Sequence, residues 1–225
     1  LTGSNFNNCE FENCKMKMSD LEYCEFFDCY FKSKYAVVSS LNESNFIKTS
    51  FEKITFSGSS FSGAFFDGCT FENVKIEFST LENSLFRNCT FCNMDMKVIN
   101  LDYTEFENPH MDNVTLPLEQ ITHSIGLLNY CKTTSDNIFI GSDSSVVLSK
   151  EEYWDNVIPL LEEEYIASED FFPLANILLV RKEYSKANEV IHQGLNNAVS
   201  NRDFRTIKFY CKLIKSSEHT EPHEL

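Results

Sequence analysis

The sequence predicts a four-sided β-solenoid of nearly six coils followed by an α-helical domain. An apolar residue recurs every five positions through the first half of the 225-residue chain. Neither a helix, at 3.6 residues per turn, nor a strand, at 2, produces that period. From Phe6 the centres step through Phe11, Met16, Leu21 and Phe26 to Leu116, twenty-three in succession without an insertion. Two residues before each centre, 18 of the 23 positions hold Ser, Cys, Thr, Ala or Val, including Cys9, Cys14, Cys24, Cys29, Cys69 and Cys89. The large residue fills a core and the small one shares it.

The length of one coil follows from which residues stack on like residues. Taken every twenty positions, one column reads Phe6, Phe26, Phe46, Phe66, Phe86, Phe106, and another Leu21, Leu41, Phe61, Leu81, Leu101. Taken every fifteen, the column from Phe6 mixes Phe, Leu, Ala and Met. Four five-residue units per coil is the consistent solution, and it gives the tube four walls.

Runs such as FENC, FFDC, FDGC and FRNC at strict five-residue spacing resemble the pentapeptide-repeat family. The resemblance covers residues 1–116 and implies a right-handed quadrilateral β-helix. The pattern is broken at Lys34 and Ala36, where a charge takes a small-residue slot, and at Pro109. A distorted wall near Lys34 is expected, with the register kept.

Assigning each outward residue to a wall separates the charges. The wall centred on Leu21, Leu41, Phe61, Leu81 and Leu101 carries Asp20, Glu22, Glu43, Glu82 and Asp102 and no base, an acidic stripe. The wall centred on Met16, Ala36, Phe56, Ile76 and Met96 carries Lys15, Lys17, Lys34, Lys75 and Lys97 against Glu77 and Asp95, a net +3. Met18, Val38, Phe78 and Val98 follow its centres by two residues, where other walls mostly place Asn, Asp, Lys or Gly. A mixed apolar and basic strip is a candidate partner-binding surface, or else the place where a second domain folds back. Asn13, Asn73, Asn93 and Asn113 form a broken column read as corner turn chemistry.

Residues 117–148 read as a capping helix, with Leu118, Ile121, Ile125 and Leu128 at helical spacing, followed by a loop through TTSDNIFIGSDSS. Ser149 and Glu152 form a capping box that opens a helical domain over residues 149–225, with a bend or break at Pro159. From Phe171, the run FFPLANILLVRKEYSKANEVIHQGLNNAV resembles one tetratricopeptide unit, with Phe171, Leu174, Ala175 and Leu178 on its first helix and Ala187, Ile191, Gly194 and Leu195 on its second. An unrelated helical hairpin fits these residues equally, and RDFRTIKFYCKLI forms a further helix behind it.

Composition and motifs narrow the chemistry. The net charge of −15 argues against nucleic acid and anionic membranes as direct partners. No run of 18 apolar residues exists, and no secretory signal is apparent, although the chain starts at Leu1 rather than Met. With six of nine cysteines placed in repeat slots, a reducing cytoplasm is the expected compartment. Cys89 and Cys92 make a CxxC, but one lies in an inward slot and the other faces out, so no metal is expected. His110, His123, His192, His219 and His223 show no ligand spacing, and no phosphate-loop, dinucleotide, nucleophile-elbow or HExxH motif occurs. The sequons at Asn42, Asn88 and Asn113 fall in repeat positions and are read as coincidental.

The reading is a non-enzymatic scaffold without a cofactor, in which a rigid rod and a helical domain bind protein partners; homodimerisation is left open. The family resemblance implies an alternative, since some pentapeptide-repeat proteins mimic the charge and shape of duplex DNA and bind DNA gyrase or related topoisomerases.

Overall fold

The computed structural model describes residues 1–14, 19–33, 36–37, 40–141 and 147–218. The chain divides into two compact units, Leu1–Tyr153 and Trp154–Leu225.

The first unit is the expected solenoid. A parallel six-stranded sheet runs through Asn5–Asn7, Glu25–Phe27, Asn45–Ile47, Phe65–Asp67, Leu85–Arg87 and Glu105–Glu107. Its register steps by twenty residues, Phe6 facing Phe26 and Phe26 facing Phe46. A second wall stacks Glu10–Glu12, Tyr30–Lys32, Ser50–Glu52, Thr70–Glu72, Thr90–Asn100 and His110–Pro117. Either side of Lys34, itself outside the described residues, the step is kept: Phe31 faces Phe51 and Ala36 faces Phe56. The wall of the acidic stripe is joined by single bridges, Asp20 to Ser40 to Ser60 to Thr80, and then by the ends of strands Lys75–Thr80 and Thr90–Asn100, where Thr80 pairs with Asn100.

Inside the tube the Phe6 column stacks at centroid spacings of 4.9, 4.8, 4.8, 4.5 and 5.1 Å. That is the inter-strand spacing of a sheet, ~4.8 Å, so flat rings fill each coil without a gap. A second column, Phe11 to Phe91, meets the first edge-on, as between Phe46 and Phe51 at 62°. The slot residues are more than small. Ser44 donates to the Leu21 carbonyl at 2.7 Å, Thr49 to Phe26 at 3.2 Å, Thr104 to Leu81 at 2.8 Å and Cys69 to Phe46 at 3.2 Å. Each reaches back 23 residues to the preceding coil, so a buried carbonyl at a corner gains a donor.

The corners explain the residue two after each centre. Asn8, Asn13, Asn73, Asn88, Asn93 and Asn113 all have φ between 50° and 55°. Asn tolerates this left-handed conformation better than most residues with a side chain.

The repeat continues beyond Leu116. Ile121 is fully buried, one step of five further, and Ile125 bridges to Glu105 at the twenty-residue offset. What reads as one capping helix is a short 3-10 turn, Gln120–His123, then this rung, then helix α1, Leu127–Thr133. Spacings of four and five overlap too closely over so few residues to separate in sequence. Gly126 turns the chain outward at φ 86°, where a Cβ would lie 2.4 Å from the Phe106 carbonyl oxygen. The expected loop is also partly strand: Ile138–Gly141 pairs with Val114 to Pro117, and Val147–Leu148 pairs antiparallel to it. The 24-residue offset from Val114 to Ile138 accommodates α1 as an insertion between coils.

Ser149 caps α2, Lys150–Glu152, through the expected capping box. A π-helical turn, Tyr153–Val157, precedes α3, Ile158–Ser168, whose second residue is Pro159. Proline lacks the N–H that would complete the turn before it, which places the irregularity there. Three helices follow, α4 (Phe171–Val180), α5 (Tyr184–Ser200) and α6 (Phe204–Glu218). Seven consecutive residues of α4, Phe172 to Leu178, are buried, as for a helix packed on all sides. Gly194 of α5 lies against Tyr210 of α6, whose hydroxyl would be 2.1 Å from an added Cβ.

Candidate functional site

Of the residues expected on the basic and apolar wall, Lys15, Lys17, Met18 and Val38 lie outside the described residues, as does the Lys97 side chain. The remainder changes the picture of a basic strip. Lys75 Nζ sits 2.5 Å from Glu77 Oε2, two residues along the same strand. The hydrogen bond that Lys75 donates to Glu77 raises the lysine pKa, so its charge is locally compensated.

Phe78 departs most from its surroundings. It occupies a corner position at φ 50°, yet its ring is 70 % exposed. The pairing register shifts around it, between Lys75 and Glu77 and again between Glu77 and Ser79. Gly58 holds the corresponding corner one coil earlier, and Val98, one coil later, is half-buried. A bulky aromatic held in the left-handed region and left in solvent stabilises neither corner nor core.

The acidic wall is internally organised. The Glu22 amide donates to Asp20 at 3.1 Å, and Glu22 Oε1 accepts from Ser40 at 2.5 Å and Asn42 at 3.2 Å. Asn42 accepts from Ser60 and from the Ser62 amide. Glu43 lies over Gly63, where a Cβ would be 2.5 Å from its carboxylate. Glu82 accepts from Asn83 at 2.9 Å. In the column that begins at Glu22, the next carboxylate is Glu82, three coils or ~14 Å along the tube, with Asn42 and Ser62 between. Glu43, in the neighbouring column, reaches over Gly63 between them, so the stripe is thinned there but not cut. Nor is the wall free of bases: His123 Nδ1 is 3.2 Å from Asp102 Oδ1, and this contact holds the Asp102 carboxyl below its usual pKa. His123 lies one coil after Tyr103, in the segment read from sequence as a separate helix.

Two surfaces escaped the sequence reading. On the outer face of the six-stranded sheet, Phe27 is 44 % exposed and Ile47, Phe65 and Leu85 are half-buried, in consecutive coils. Lys48 lies over the Phe27 ring at 5.9 Å and Arg87 over Phe65 at 5.5 Å. Apolar residues directly beside the centres, as in FFD and NFI, were the available signal. The other surface is the outward face of α6, which alternates cations with a solvent-facing aromatic.

Reactive groups are few. Cys89, just before the strand Thr90–Asn100, is buried, and Cys92, within it, is half-buried. Among the described residues no group of three or more His, Cys, Asp or Glu could hold a metal ion; His219 and His223 lie outside them. The tightest titratable cluster is Asp136, whose Oδ2 accepts from Tyr130, from the Met111 amide at 2.9 Å and pairs with His110 at 3.0 Å. Burial, reinforced by the carboxylate, pushes the Tyr130 pKa up to about 12. This cluster fastens the loop after α1 to the last full coil. No helix among the described residues is long and apolar enough to cross a membrane.

No curated protein sequence matches the chain. Among solved structures, Rfr23, a pentapeptide repeat protein from the cyanobacterium Cyanothece 51142, is 12% identical over 50% of this chain and 88% of its own, at a TM-score of 0.35. A pentapeptide repeat protein of the Arabidopsis thaliana thylakoid lumen is 16% identical over 69% of this chain and 90% of its own, at 0.24. QnrB1, a plasmid-mediated fluoroquinolone resistance protein, is 9% identical over 51% and 71%, also at 0.24. One family model matches, that of the pentapeptide repeat region, and it assigns residues 4–81 of this chain to that family.

Proposed function

We propose that the protein is a non-enzymatic scaffold whose solenoid docks a protein partner through the wall that carries Lys75, Phe78 and Val98. The observation that carries this reading is Phe78. Its left-handed backbone costs roughly 1–3 kcal/mol, and its exposed ring returns nothing to the fold. Large aromatics at such positions are the usual anchors of interfaces. The helical region, whether a tetratricopeptide-type pair or an unrelated hairpin, offers a second contact surface in the same reading.

The test is a photo-crosslinking amino acid placed at position 78 and, as a control, at position 53 on another wall, in the source cells. A discrete partner crosslinked from position 78, and lost when Lys75→Glu is added, supports the reading. The same products from both positions, or none from position 78, would end it.

The alternative, a duplex-DNA mimic acting on a topoisomerase, requires a continuous line of carboxylates. The gap at Asn42 and Ser62 and the His123 contact with Asp102 weigh against it.

A further inference from the structure

The charge of the chain as a whole conceals a local inversion. Residues 202–218 hold Arg202, Arg205, Lys208, Lys212 and Lys215 against Asp203 and Glu218, a net +3 in a chain of −15. On α6, Arg205, Lys208, Lys212 and Lys215 follow a spacing of three, four and three, which at 100° per residue confines them to an arc of about 80°. The opposite face is the packing face: Phe209, Tyr210 and Leu213 are buried, with Phe172 edge-on to both aromatic rings at 6.4 and 6.1 Å. The half-buried Lys212 lies at the edge of the arc nearest the packing face, its ammonium over the Phe209 ring at 5.4 Å.

Apolar residues border that arc at one end. Phe204, the first residue of α6, is 77 % exposed, and Val199, near the end of α5, is 55 % exposed. Both flank the turn that carries Arg202. A cationic strip with an exposed aromatic and an exposed aliphatic side chain at one end supplies the two components of peripheral binding to an anionic bilayer, charge attraction and buried apolar area. Headgroups would take the charges while the Phe204 ring enters the acyl boundary. Clusters of four or more cations on such a helix are sufficient for anionic lipid.

We infer that the outward face of α6, with Phe204 and Val199, is a docking surface for an anionic lipid bilayer. The interaction is peripheral and reversible, with α6 parallel to the surface. It allows a scaffold to work at a membrane without spanning it.

Co-sedimentation of the full chain with phosphatidylcholine vesicles, with and without phosphatidylserine, tests this. Binding is expected only with phosphatidylserine, weakening about fivefold for each cation reversed and falling as salt rises. Lys208→Glu with Lys212→Glu and Lys215→Glu should abolish it, and Phe204→Ala should weaken it severalfold at unchanged charge. All four changes are at the surface, and matching circular dichroism melts would show that the fold is retained. Absence of binding to anionic vesicles at low salt would overturn the inference, as would binding indifferent to the lysine reversals. So would equal binding to soluble polyglutamate together with indifference to Phe204→Ala, because the face would then recognise acidic chains and not lipid.

Discussion

Phe78 separates stability from function at a single residue. Replacing it with Asn, which tolerates the left-handed corner, should relieve about 1 kcal/mol of backbone strain and raise the melting temperature by about 2–4 °C. The same change should reduce partner recovery, so the two readouts move in opposite directions. A drop in melting temperature would show that the ring packs in solution. Asp102 offers a second residue-level check. His123 lowers its carboxyl pKa on folding, so the stability it confers is present above the ordinary carboxylate pKa and is lost as pH falls through the lowered one. Asp102→Asn should therefore lower the melting temperature near neutrality and flatten the acid limb of a plot of melting temperature against pH, the two proteins converging at low pH. The left-handed corners were legible as a preference for Asn and Gly, and Phe78 was legible as an exception to it. The partner of Asp102 was not, because His123 lies one coil away in space but in a segment whose period was read differently.

Within one coil, the slot hydrogen bond is the device that couples neighbours. Ser44 donates to the Leu21 carbonyl at 2.7 Å and accepts from the Cys24 amide at 3.1 Å, fully buried. Ser44→Ala keeps the volume small and removes both bonds, which should cost about 1–3 kcal/mol in urea unfolding; a cost near zero would mean that slot residues matter for size alone. In the helical region the seam between α5 and α6 depends on Gly194. Ala is the better helix former by about 1 kcal/mol, but its Cβ would fall 2.1 Å from the Tyr210 hydroxyl and 2.3 Å from the ring carbon that carries it. The clash outweighs the propensity, and Gly194→Ala should lower helical stability by about 1–3 kcal/mol, read as loss of ellipticity on heating. Sequence spacing located the inward faces of these helices but could not tell a glycine that permits a turn from one that permits close packing. It also read Ile121 and Ile125 as one helix, since a few residues cannot distinguish a period of 3.6 from one of five.

For the whole molecule, the distribution of charge matters more than its sum. Asn42 and Ser62 interrupt the column of carboxylates that begins at Glu22 and His123 meets Asp102, so the purified protein is expected to leave DNA gyrase supercoiling unchanged in titration, with or without a quinolone. Inhibition or drug protection that disappears on neutralising Asp20, Glu22, Glu82 and Asp102 would reverse that expectation.

The sequence alone determined the solenoid, its four walls, its twenty-residue coil and the helical region beyond, because a core that repeats along one axis writes its geometry directly into residue spacing. Only the tertiary structure decided where the coils end, which carboxylates meet a base, that Phe78 stands in solvent and which face of α6 is packed. Those properties depend on which groups approach from other coils or helices, and no fixed spacing in the chain encodes that.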